Sequence, residues 1–320
     1  MMVSLQDIRA AQTLLHGIAV RSPLLEWTSA SDPRKLYLKL ENLQPIGAFK
    51  LRGAYNKVAS LSAEERGRGV ISYSSGNHGQ GVAYAARALG VKAIIVMPDN
   101  APKNKLEATA ALGAEVVTVG PSSEERRLRA EELAAQHGYV IVPPYNDEKI
   151  IAGQGTVGLE ILEDLPAVET VLVPVGGGGL ISGVSAAVKL SNPKVTVIGV
   201  EPELAGDAQA SLRAGHIVSF SAEQVTQTLA DGLRTQSIGT INFEHLRAYV
   251  DDIVTVKEEE IRQAMQALSG NSRTVAEPSG AVATAAFLFH ASDLPLAKIH
   301  VAVISGGNID PAMLRELRKS

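Results

Sequence analysis

An α/β fold built on mainly parallel strands is predicted by three features of the 320-residue chain. Short Val/Ile-rich runs alternate with helical patterns over most of its length. Those runs are nearly continuous in apolar residues, as strands covered by helices on both faces are. The helical runs commonly end in glycine, which tolerates the left-handed conformation just past a helix C-terminus.

The opening "MMVSLQDIRAAQTLL" is amphipathic and carries charges, unlike the unbroken apolar core of a secretory leader. A strand-like run follows at 37–43, "YLKLENL", and runs into "GAFKLRG" at 47–53. Further strands are expected at 69–73, 92–98, 114–119 and 139–143. After them come 170–175, 195–201 and 298–304. Helical patterns occupy 79–90, 104–113, 123–138 and 155–165. The four units from 69 to 143 could form a compact sheet of their own, and the flanking strands a second sheet. A smaller domain inserted in a larger one would explain that arrangement. No solenoid-period repeat and no low-complexity tract interrupts the chain.

Composition narrows the partners. The net charge of −4 argues against nucleic acid and anionic membranes. Cysteine is absent, which excludes disulfides, zinc thiolates and a cysteine nucleophile. No apolar run approaches the length of a membrane span. A soluble, cytoplasmic protein is the expectation.

Chemistry concentrates where strands end. Lys50 stands where a strand gives way to a helix, beside Phe49. A solvated lysine needs no such setting, whereas a partly dry one keeps its amine reactive. In "SYSSGNHGQG" (72–81) a strand meets Ser74, Ser75, Asn77 and His78 before a helix. Hydroxyls and free helix N–H groups there could hold a carboxylate; the plainer reading is one N-cap. In "VPVGGGGLISG" (173–183) four successive glycines cost entropy unless a close approach requires them. Gly176, Gly177, Gly178 and Gly179 make a nest of backbone N–H groups ahead of a helix, suited to phosphate, or else a flexible turn. Neither G-x-G-x-x-G nor a Walker lysine is present, which disfavours a nucleotide. "VISGGNID" (303–310) adds Ser305 at a third strand end. In "EPELAGDAQ" (201–209), Glu201 and Asp207 with an intervening carbonyl suit a hard divalent cation, or form a solvated acidic loop.

One cofactor unites a dry lysine, a phosphate nest and a carboxylate loop. Pyridoxal 5'-phosphate would join Lys50 as a Schiff base, its phosphate on the glycines and an amino acid's carboxylate on the serine–asparagine loop.

The motifs "LENLQPIGAFKLRGA", "SSGNHGQGVAYAA", "IAGQGTVGLEIL", "PVGGGGLISG", "GVEPE", "DGLRTQ", "EPSGA" and "ISGGNID" resemble the serine/threonine dehydratase and serine racemase family, in order from about residue 40 to 310. These are pyridoxal-phosphate enzymes of fold type II, the fold of the tryptophan synthase β-subunit. The resemblance implies two open, twisted, mainly parallel sheets, with a large domain of 1–59 and 148–320 and a small inserted one of 69–146. It implies that Lys50 is the Schiff-base lysine, Phe49 packs on the pyridine ring and Asn77 bonds its phenolic oxygen. It places the phosphate at Gly176 to Gly179 and the ring nitrogen at Ser305. A serine there leaves the nitrogen uncharged, which weakens the electron sink and favours elimination over long-lived quinonoid chemistry. Ser75 would be the second proton-transfer group, and with Ser74, Asn77 and His78 would shape the carboxylate pocket. Glu201, the carbonyl of Ala205 and Asp207 match divalent-cation ligands (Mg2+, Mn2+ or Ca2+) of metal-activated members. A homodimer is implied as well.

Two positions depart from the family pattern: Ala48 where many relatives have serine, and Tyr145 where mammalian racemases have asparagine. Both bear on the substrate side chain. The chain ends soon after "ISGGNID", so a regulatory domain and isoleucine feedback are not expected. The expected reaction turns a β-hydroxy amino acid, L-threonine or L-serine first, into a 2-oxo acid and ammonia. Racemisation of serine, dehydration of β-hydroxyaspartate or phenylserine, β-replacement and a non-catalytic amino-acid sensor are the competing expectations. No arginine can be assigned from sequence to the far wall of the pocket.

Overall fold

Two sheets organise the chain in a computed structural model that describes residues 2–27, 32–74, 76–101, 103–120 and 122–317. The strands are β1 (Leu24–Trp27), β2 (Lys35–Leu40), β3 (Val70–Tyr73), β4 (Ala93–Pro98) and β5 (Glu115–Val119), then β6 (Val140–Ile141), β7 (Thr170–Pro174), β8 (Thr196–Pro202), β9 (Asp252–Val256) and β10 (Ile299–Ile304). Six of them form a sheet in the order β1-β2-β10-β7-β8-β9, and four form another in the order β5-β4-β3-β6. Pairing is parallel throughout except for β1 on β2. The α/β class and the mainly parallel sheets are as expected.

The central strands are buried on both faces, so their sequences show no alternation. Along β7, Leu172 joins a cluster with helices Glu258–Asn271 and Pro278–Phe289, while Val171 and Val173 join one with Glu148–Asp164 and Gly179–Ser191. The four anticipated helical runs correspond to Asn77–Leu89, Lys103–Ala111, Ser123–His137 and Glu148–Asp164, each helix ending one or two residues before the run does. The N-terminal helix, Leu5–Leu15, starts at a capping box in which Ser4 and Asp7 satisfy each other's backbone N–H.

Three details differ from expectation. The run expected as a strand over 37–43 leaves the sheet after Leu40, and Glu41–Leu43 form a 3-10 turn. The turn brings Glu41 into a buried ion pair with Arg52, Nε to Oε2 at 2.8 Å. Strands β1 and β9, both at sheet edges, were not expected at all.

Helix Lys50–Ala59 is seated firmly. At Gly153 an added Cβ would lie 2.7 Å from the carbonyl oxygen of Arg52, so only glycine allows helix Glu148–Asp164 this close. On the same side Arg52 reaches Glu41 and Glu160, and Lys39 reaches Glu160 at 2.6 Å. Two cations and two carboxylates thus neutralise one another inside the core.

Candidate active site

A cavity of about 440 Å³ is lined by residues at the ends of three strands: Tyr73, Ser74, Gly76, Asn77 and His78 at the end of β3, Gly176 to Gly179 after β7, and Ser305 after β10. Ligands in open α/β sheets sit at such carboxyl ends. Lys50, the first residue of its helix, faces the same space.

Lys50 Nζ donates to the carbonyl of Pro144 at 2.8 Å and lies 5.3 Å from the centre of the Phe49 ring. Burial lowers its pKa from 10.5 to about 8. The ammonium faces the cavity rather than open water, and desolvation disfavours the charged form. An amine with such a pKa has a usable neutral fraction near neutrality. Phe49 is locked from behind, its N–H donating to the carbonyl of Ser305 at 3.0 Å. Ala48 is fully buried and bridges to Gly306.

The glycine run is tight, not loose. A Cβ at Gly177 would fall 2.3 Å from the Tyr145 ring, and one at Gly178 would fall 2.8 Å from Asn242 Cβ. Gly178 also has φ +93°, a conformation that disfavours any side chain. The helix that starts at Gly179 has no side-chain cap, so its first N–H groups remain free of one. Backbone donors at a helix N-terminus, open to a cavity, suit a phosphate. With Lys50, an amine of lowered pKa, lining the same cavity, these residues fit pyridoxal phosphate.

Of the loop after β3, Ser74 Oγ accepts from the N–H of Gly76 at 3.1 Å, and Ser75 lies outside the described residues. Asn77 Nδ2 donates to Glu277 Oε1 at 2.5 Å, and its Oδ1 accepts from Asn308 Nδ2 at 2.8 Å. His78 Nε2 lies 3.1 Å from the carbonyl of Val142. Burial above all, and then the charge of Lys50, lower its pKa to about 3. The ring is therefore neutral, with Nε2–H donating and Nδ1 left as a partnerless acceptor. Ser305 Oγ, buried, donates to the carbonyl of Ser279 at 3.3 Å. Tyr145 lines the wall, its hydroxyl pKa pushed up to about 12 by burial.

Glu201 and Asp207 lie together and buried at the end of β8. Both Glu201 oxygens accept helix N–H groups, from Ala208 at 3.0 Å and Gln209 at 2.8 Å. Neither oxygen of Asp207 has a partner. Burial raises the pKa of both carboxyls, and the charge of Asp207 raises that of Glu201 further. Ala205 is buried in the short turn between them. Among the described residues no group of three or more His, Cys, Asp or Glu side chains is placed to hold a metal.

Several lining residues escaped the sequence reading. Glu277 lines the cavity, and burial, aided by the charge of Asp231, pushes its pKa up to about 7. Asp231 pairs with Lys105 at the cavity's edge. Arg126 and Arg127 line it from helix Ser123–His137, where sequence alone offered no arginine. Glu277 and Asp231 sit in "EPSGA" and "DGLRTQ", motifs that were visible but carried no assigned role.

A half-buried lysine and a row of backbone donors lining one cavity suit an enzyme that works through a bound carbonyl cofactor. The family described as "Pyridoxal-phosphate dependent enzyme" matches residues 17–306, and the chain belongs to it. It is 49% identical over 317 residues to L-threonine ammonia-lyase of Thermotoga maritima, a match covering 98% of this chain and 77% of that protein. It is 42% identical over 318 residues to L-threonine dehydratase catabolic TdcB of Escherichia coli, covering 98% and 96%. Among solved structures, maize serine racemase superposes with a TM-score of 0.94 at 36% identity, covering 100% of this chain and 98% of that one. No helix among the described residues is long and apolar enough to cross a membrane.

Proposed function

We propose that the chain is a pyridoxal-phosphate-dependent ammonia-lyase that converts L-threonine, and next L-serine, into a 2-oxo acid and ammonia. The observation that carries the reading is the half-dry Lys50 facing the glycine cradle; the near full-length likeness to two threonine dehydratases supports the substrate. When bound, the cofactor withdraws electrons from the substrate's Cα, making its hydrogen acidic and letting the β-hydroxyl leave. The chain's own groups do the rest. The N–H groups of Gly176 to Gly179 hold the phosphate. Phe49 would pack on the ring, Asn77 would donate to its oxygen, and Ser305 would offer its nitrogen a neutral hydroxyl, all three lining the cavity. Lys50, whose lowered pKa gives it a neutral fraction, would take the Cα proton, or Ser75 would do so from the opposite face. Ser74, Ser75 and the backbone N–H of Asn77 would bind the carboxylate, and His78 forms the wall beside them. Loss of the hydroxyl as water, then hydrolysis, gives the 2-oxo acid and ammonia.

We also infer a divalent cation at Glu201, the Ala205 carbonyl and Asp207, because two carboxyls buried side by side, with no well-formed hydrogen bond to Asp207, gain a charged form when a cation neutralises them. The division into 1–59 with 148–320 and 69–146, a cytoplasmic location and a homodimer belong to the same reading; the two separate sheets support the first of these.

Serine racemisation is a second reading, favoured by the likeness to maize serine racemase. The deciding experiment incubates the purified holoenzyme with L-threonine, L-serine, β-hydroxyaspartate and phenylserine, with and without chelator. 2-Oxo acid is assayed, together with the chirality of residual serine. Fastest 2-oxo acid release from L-threonine is the expected result. No turnover of any substrate, or borohydride reduction that leaves Lys50 unlabelled, would overturn the proposal.

A further inference from the structure

We propose that Glu277 is a positioning residue: through Oε1 it orients the Asn77 amide so that an N–H, not the carbonyl oxygen, faces the cofactor's ring oxygen. The inference rests on the reading of the cavity as a pyridoxal-phosphate site.

Glu277 is misused as a helix residue, and that is the first sign. It occupies the N-cap of helix Pro278–Phe289, where an acidic side chain normally accepts from the helix's free N–H groups. Its carboxylate makes no such bond and turns instead to Asn77, 2.5 Å away. The diversion is costly, since Glu277 is only 2% exposed and its Oε2 has no partner. A neighbouring residue makes room for it: a Cβ at Gly306 would fall 2.2 Å from Oε1. The side chains that face it are Asp231, which raises its pKa, and Lys105 and Asn77, which lower it.

The second sign is what happens at the other end of Asn77. Its Oδ1 accepts from Asn308 Nδ2, which also donates to the carbonyl of Ile46 at 2.9 Å. Flipping the Asn77 amide would set its NH2 against the NH2 of Asn308 and its oxygen against the carboxylate of Glu277. Both contacts are repulsive, so the amide has one orientation. Of its two N–H bonds one is committed to Glu277, and the other is available to the cavity that Asn77 lines. An oxygen with negative character is the partner such a donor selects.

A residue that acts through another is exposed by non-additivity. The experiment titrates apoprotein with pyridoxal phosphate and reads the apparent Kd from visible absorbance, for Asn77→Ala, Glu277→Ala, Asn308→Ala and the doubles with Asn77→Ala. Each single variant is expected to weaken binding by about tenfold, the worth of one charge-assisted hydrogen bond. Each double is expected to bind no more weakly than Asn77→Ala alone. Glu277→Gln, which keeps an acceptor oxygen, should retain most of the affinity. Losses that add in the doubles, or single variants that bind as the wild type does, overturn the proposal. Should Glu277→Ala not fold, the Asn308→Ala pair decides by the same criteria. Borohydride labelling of wild-type Lys50 separates the two levels. A labelled lysine with additive losses sinks this inference and leaves the cofactor reading intact, whereas an unlabelled one sinks the reading itself.

Discussion

Lys50 carries the sharpest single-residue consequence, because its environment makes it a liability to the empty fold. Burial holds its pKa at about 8 against 10.5 for a free lysine. The unfolded chain therefore binds more protons than the folded one between pH 8 and 10.5, and stability rises with pH across that window. Below pH 8 the whole penalty is present, roughly 1–3 kcal/mol when converted at about 1.4 kcal/mol per pKa unit and reduced for access to the cavity. Lys50→Met should accordingly stabilise the cofactor-free protein by about 1–3 kcal/mol at neutral pH, while abolishing cofactor attachment. Urea midpoints of apoprotein at pH 7 and near pH 10 check this. A variant less stable than the wild type at pH 7, or a gain that does not shrink with rising pH, contradicts the argument. His78 follows the same sign at lower pH: its pKa, lowered to about 3, keeps it neutral at pH 7 with its one N–H committed to Val142, and its penalty appears only as pH falls below 6.5.

At the scale of elements, helix Lys50–Ala59 presents Lys50 to the cavity and Arg52, about half a turn round, to the core. Its N-cap, Phe49, makes no side-chain cap bond. The helix is held by Arg52 instead, which donates to Glu41 through Nε at 2.8 Å and to Glu160 through Nη1 at 2.6 Å. Arg52→Leu would leave Glu41 without an ionic partner in the core and Glu160 with Lys39 alone, with a cost of about 3–5 kcal/mol. Urea unfolding of the holoenzyme measures it, and a change below about 1 kcal/mol would show that the cluster relaxes or admits water. None of this was visible in "YLKLENL", whose apolar spacing reads as a strand to its end; the turn at Glu41–Leu43 is imposed by an arginine eleven residues on. The central strands were legible because burial on both faces makes them continuous in Val and Ile. Strands β1 and β9 were not, being four and five residues long at sheet edges, where one neighbour suffices. In the site, Lys50 and the glycine run stood out because each is chemically costly where it is. Glu277 and Asn308 reach Asn77 from 200 and 231 positions away, and no local pattern announces such a meeting.

At the scale of the whole molecule, both sheets contribute to the cavity's lining, and an ion pair beside it links elements packed on each of them. Lys105 belongs to helix Lys103–Ala111, beside the four-stranded sheet, and pairs with Asp231 on a 3-10 turn that packs with the core of the six-stranded sheet. The pair is partly shielded, its side chains 10% and 36% exposed, so it should contribute about 1 kcal/mol, near the upper end for a surface ion pair. Helix Lys103–Ala111 otherwise rests chiefly on helix Asn77–Leu89 and β5. Removing the pair should therefore loosen that helix locally without reaching the central strands, whose opening requires global unfolding. In Lys105→Met, amide exchange within 103–111 should run about fivefold faster, the equivalent of 1 kcal/mol, while β10 exchanges as in the wild type. Hydrogen-exchange mass spectrometry of the holoenzyme reads both segments at once. Equal acceleration in β10 would mean that the pair contributes to global stability rather than to that helix alone, and unchanged exchange in 103–111 would mean that it contributes to neither. Added salt provides the control: it should reproduce the loosening in the wild type and have little further effect in the variant, because only the wild type has a partly exposed attraction to screen.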